Sequence, residues 1–111
     1  MPAMVIAKEQ GAEMYTCIRE VMFKTAADTL RAAPVAAAIS KYFKDTHKLD
    51  MRLMRPVGGS PNRLRFVGEM DSLDAWGAMQ AKAVQDPAYQ KLLAEIGPTV
   101  DGSKTFDEFW R

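Results

Sequence analysis

Histidine and cysteine each occur once in this 111-residue chain, as His47 and Cys17. One of each gives no clustered ligand set for zinc or iron. A single cysteine also excludes an intrachain disulfide framework and fits a reducing compartment, the cytoplasm by default. Charge of either sign is not in surplus: fifteen basic against fourteen acidic residues leave a formal +1, so no long-range field draws nucleic acid or an anionic membrane. The apolar run Met4 to Ala7 is too short for a signal-peptide core or a membrane span. The glycines of Gly58-Gly59 and Gly102 lack the lysine and following helix of a phosphate-binding loop, and read as turns.

What the chain does have is an ordinary globular make-up, 48% hydrophobic and 26% charged, at a length that supports one buried core. Residues 1 to 12 read as an N-terminal arm, adding an edge strand or staying loose, and 13 to 111 as one domain. Met14 to Phe23, rich in β-branched, aromatic and thioether side chains, predicts a first strand. Thr25 with Asp28 starts an alanine-rich helix that runs to Lys48, and Pro34 within it predicts a kink or restart. Val35, Ile39, Tyr42 and Phe43 share one face of it, while Lys41, Lys44 and Lys48 share another.

Asp50 to Val57 and Arg63 to Met70 flank the turn cluster Gly58-Gly59-Ser60-Pro61-Asn62, which predicts a hairpin. In its second strand Leu64, Phe66, Gly68 and Met70 alternate with Arg65, Val67 and Glu69, so the apolar set belongs under the helices. Asp71 or Ser72 caps the next helix, with Leu73, Trp76, Met79, Gln80 and Ala83 at helical spacing. Asp86-Pro87 opens a further segment carrying Tyr89, Leu92, Leu93 and Ile96, and Gly97-Pro98 closes it. Thr105 to Arg111 is the last strand. The order βαββαβ predicts an α+β, ferredoxin-like fold: a four-stranded antiparallel sheet with helices on one face.

The uncovered face is then too apolar for water, and burying it against a copy of itself is the expected solution. By the register adopted here that face carries Arg65, Val67 and Glu69, joined by Tyr15, Cys17, Arg19, Val21 and Phe23 of the first strand. An RNA-binding sheet is the rival from another class. Its octapeptide would want aromatics at alternate positions, but 63 to 70 offers only Arg63 and Phe66, with Glu69 on the binding face.

Tyr15 to Glu20, Phe66 to Trp76, Asp86 to Lys91 and Asp107 to Arg111 together resemble the dimeric α/β barrel superfamily, and within it NIPSNAP-like and antibiotic-biosynthesis-monooxygenase-like small proteins. The resemblance implies a homodimer whose sheets face each other, with a small pocket on the sheet side of each subunit. It implies a range of chemistries, among them cofactor-independent oxygenases, haem-degrading enzymes, isomerases and dehalogenase-like enzymes. The one histidine lies at a helix end, away from the haem-degrading pattern, so no haem and no other cofactor is expected.

Arg19 and Arg65 are the first candidates for chemistry, because an enclosed arginine holds a carboxylate, phenolate or enolate in bidentate fashion. Glu69 is a base or an ion-pair partner for either arginine. His47 is the natural proton carrier, and the bland reading gives it a place at the helix dipole instead. Cys17 reads as a small hydrophobe. Tyr15, Cys17, Met54 and Val67 are candidate pocket residues, with Trp76 and Trp110 beside them; simple core packing is the competing reading for such aromatics and methionines. The function expected is binding of a small hydrophobic or anionic organic molecule by a homodimer, as an oxygenase, isomerase or lyase or without reaction. A dimerisation module with no ligand is the alternative.

Overall fold

The computed structural model describes residues 14–111, so the expected N-terminal arm lies outside the described residues. Strand β1 (Tyr15–Met22) leads into helix α1 (Ala26–His47), then β2 (Arg52–Met54) and β3 (Arg63–Met70). Helices α2 (Leu73–Ala83) and α3 (Pro87–Ile96) follow, with a short 3₁₀ turn at Gly97–Thr99 before β4 (Phe106–Trp110). The sheet order is β2-β3-β1-β4, antiparallel throughout, and the core lies between the sheet and the helices. This is the ferredoxin-like α+β layout, with the second crossover divided into two helices.

Local chemistry sets the helix limits. Thr25 Oγ1 accepts the Asp28 N–H at 3.0 Å, and Ser72 Oγ does the same for Ala75 at 3.0 Å. Asp86 Oδ1 accepts the Ala88 N–H at 3.0 Å, with Pro87 in the first turn of α3. Pro34 does not restart α1, which runs as one helix from Ala26 to His47. Its missing hydrogen bond is outweighed by the continuous buried stripe of Ala32, Ala36, Ile39 and Phe43 on either side.

The register of β3 follows its alternation: Leu64, Phe66 and Gly68 are buried toward the helices, and Arg65, Val67 and Glu69 take the open face. Gly68 lies so close to Met51 that a Cβ there would come within 2.5 Å of the Met51 sulfur. Strand β1 departs from expectation by one residue. Cys17 pairs with Gly68, Arg19 with Phe66 and Val21 with Leu64, so Tyr15, Cys17, Arg19, Val21 and Phe23 belong to the helical side and not to the open face. The open face instead receives Thr16, Ile18, Glu20 and Met22. Both parities of β1 carry one charge among apolar residues, so alternation alone does not choose between them.

Candidate functional site

Because β1 presents Arg19 to the helices, the cavity of interest lies inside the subunit. It measures about 380 Å³ and sits between the sheet and all three helices. Val21 and Phe66 form its floor, Ile39 and Phe43 of α1 one wall, and Val84, Tyr89, Leu93 and Ile96 the other. Arg19, Gln80, Tyr89 and Thr105 supply its polar groups. An apolar cavity with a few convergent polar groups is the usual form of a small-molecule site.

Arg19 is held from several directions. Its Nε donates to Asp107 Oδ1 at 2.8 Å and its Nη2 to Asp107 Oδ2 at 2.9 Å, the fork-on-fork geometry of the strongest ion pairs. The same Nη2 reaches Gln80 Oε1 at 3.3 Å, and the guanidinium carbon stands 5.6 Å from the centre of the Trp76 ring. Burial works against the guanidinium charge, but the hydrogen bond and charge of Asp107 more than offset it and raise the Arg19 pKa. Gln80 Nε2 is buried and has no partner among the described residues. Burial raises the Tyr89 phenol above its ordinary value, against the opposing pull of Arg19, whose guanidinium can only donate to the phenol oxygen, so this hydroxyl keeps its proton.

Behind Tyr89 lies an aromatic layer. Tyr42 stacks on Tyr89 with ring centres 5.2 Å apart, and Phe43 meets Tyr89 edge-on at 5.4 Å. The Tyr42 hydroxyl donates to Asp86 Oδ2 at 2.8 Å, so His47 Nε2, 3.0 Å away, is the donor to the Tyr42 oxygen. His47 therefore braces this layer and does not line the cavity. Burial, and after it the hydrogen bond to Asp86, pushes the Tyr42 phenol up to about 12.

This layer has a measurable alkaline signature. The folded preference for a protonated Tyr42 is intact below pH 10 and is lost as pH rises through about 12. Tyr42→Phe should lower stability at neutral pH by about 1–2 kcal/mol and flatten the alkaline fall above pH 10. Urea unfolding across that range measures both effects.

The other candidates separate. Arg65 lies on the face opposite Arg19, so the two arginines do not share a site. Its partner is Glu20, with Arg65 Nε at 2.7 Å from Oε2, and not Glu69, which is exposed. Arg63 adds a longer contact to Glu20 at 3.6 Å. Met54 and Val67 lie on the open face, and Tyr15 and Cys17 beneath the helices; none of the four lines the cavity. Burial, and then the charge of Asp107, raises the Cys17 thiol, which suits a packing role. Gln80, Tyr89 and Asp107 were not identified as site residues in the sequence. The helical spacing of Gln80 among apolar neighbours was the available signal, and it became informative only with β1 in register.

No protein-family model matches this sequence, and no curated protein matches it. Solved structures do. A Caulobacter crescentus protein provisionally named an antibiotic biosynthesis monooxygenase aligns with a TM-score of 0.70 at 15% identity, covering 96% of this chain and 95% of its own. A NIPSNAP family protein from Agrobacterium tumefaciens gives 0.69 at 13% identity, with 89% and 92% covered. SnoaB, a cofactor-independent oxygenase from Streptomyces nogalater, gives 0.61 at 13% identity, with 90% and 93% covered. At such identities the likeness is one of fold.

Proposed function

We propose that this chain, sharing its fold with the monooxygenase-like and NIPSNAP proteins, is a homodimer that binds a small, largely apolar organic molecule between its sheet and its helices. The apolar cavity with Arg19, Gln80 and Tyr89 at its polar end carries this reading. Among the described residues no carboxylate or imidazole lines it. Tyr89 is the proton-transfer group of the lining, and burial raises its phenol above the ordinary value, which makes it a poor base at neutral pH and favours binding over general-base catalysis. The dimer is supported by the open sheet face, where Phe106 and Trp110 of β4 remain 45% and 59% exposed beside Ile18, Val67 and Met54.

The uncharged fluorophore N-phenyl-1-naphthylamine should bind wild-type protein with enhanced emission, and Leu93→Trp, placed at the exposed rim, should abolish that signal by filling the cavity. Emission unaffected by Leu93→Trp would remove the cavity from the account. A sedimentation mass of one chain would remove the dimer.

A further inference from the structure

We propose that Asp107 sets the charge selectivity of this cavity, turning it from anions toward uncharged molecules, among which those that bring a ketone, quinone or lactone oxygen also find donors at Gln80 and Tyr89. The inference rests on the binding reading above and adds the class of ligand. Arg19 is the only charged side chain among the described residues lining the cavity. An unopposed arginine there would recruit carboxylates and sulfonates. Asp107, which does not itself line the cavity, has already taken the Nε and Nη2 donors at 2.8 and 2.9 Å. The guanidinium is further restrained by the Gln80 carbonyl and the Trp76 ring, which leaves Nη1 outside these bonds, on a cation whose charge Asp107 already offsets. A ligand anion on the cavity side would add a second negative charge to a cation that Asp107 already neutralises from the solvent side, and would meet an apolar wall there.

The remaining polar groups point the same way. The Gln80 amide presents its oxygen to Arg19, which leaves Nε2 as a buried donor with nothing to bond among the described residues. Tyr89 contributes a hydroxyl. A ligand that pairs with them supplies an oxygen lone pair, and an uncharged oxygen does so without disturbing Arg19 and Asp107.

The test uses two fluorophores of one skeleton: uncharged N-phenyl-1-naphthylamine and its sulfonate relative 8-anilino-1-naphthalenesulfonate. Only the emission lost in Leu93→Trp is counted, which confines the reading to the cavity. Wild-type protein should prefer the uncharged probe by about tenfold or more. Asp107→Asn should tighten the sulfonate by about tenfold while the uncharged probe stays within about threefold, and Arg19→Gln added to Asp107→Asn should cancel the gain. Cooperative thermal melts establish that each variant is folded, and Asp107→Ser takes the place of any Asp107→Asn protein that is not. If the uncharged probe binds in the cavity but Asp107→Asn leaves the preference between the two unchanged, charge selectivity falls and the binding reading stands. If wild-type protein takes neither probe in the cavity, both fall.

Discussion

Phe43→Ala should destabilise the protein by about 3–5 kcal/mol, the cost of removing a large aromatic side chain from a closed core. Phe43 is 2% exposed, and its ring meets Tyr42 and Tyr89 at 5.4 Å and His47 at 5.8 Å. It also forms the α1 wall of the cavity, so truncation enlarges a space already present. Against a total stability of about 5–15 kcal/mol for a domain of this kind, the loss leaves a protein near its unfolding threshold. Urea midpoints should show it, and Phe43→Leu should retain most of the stability by keeping most of the volume, at a cost of about 1 kcal/mol. An alanine variant with a wild-type midpoint would mean that this layer is not a cooperative part of the core.

Arg65→Met should cost about 2–4 kcal/mol, although Arg65 is itself 42% exposed in its side chain. The loss falls on Glu20, whose side chain is 4% exposed and would keep only the Arg63 contact at 3.6 Å. Glu20→Leu combined with Arg65→Met should recover most of that loss, because removing both members of a buried pair relieves the unpaired charge. A double-mutant cycle by urea unfolding measures the coupling. Recovery absent in the double variant would show that Arg65 acts through the packing of its stem and not through Glu20.

The architecture was largely legible in the sequence, because each helix start has a capping side chain and β3 alternates cleanly. The break at Asp86-Pro87 was readable for the same reason, since a cap followed by proline is a strong local signal. The site was not, and one strand accounts for most of the difference. In β1 the sets Cys17, Arg19, Val21 and Thr16, Ile18, Glu20, Met22 are similarly apolar, each with one charge, and a slip of one residue exchanges their faces. That slip moves Arg19 from the company of Arg65 and Glu69 to that of Gln80, Tyr89 and Asp107. The last three residues come from α2, α3 and β4, so their meeting is a tertiary fact that no local pattern records. Likewise His47 was readable as the end of a helix, but its bond to Tyr42 depends on how that helix end meets Asp86.

The brevity of β2 limits how the molecule can polymerise. Three residues make up this outer strand, Arg52 and Met54 among them, and Pro56 follows two positions later with no N–H to offer. A foreign strand arriving at that rim would find few free backbone groups and a charged side chain in the way. Growth of the sheet by addition of strands from other molecules is thereby discouraged at this border, which leaves β4 as the edge open to such addition.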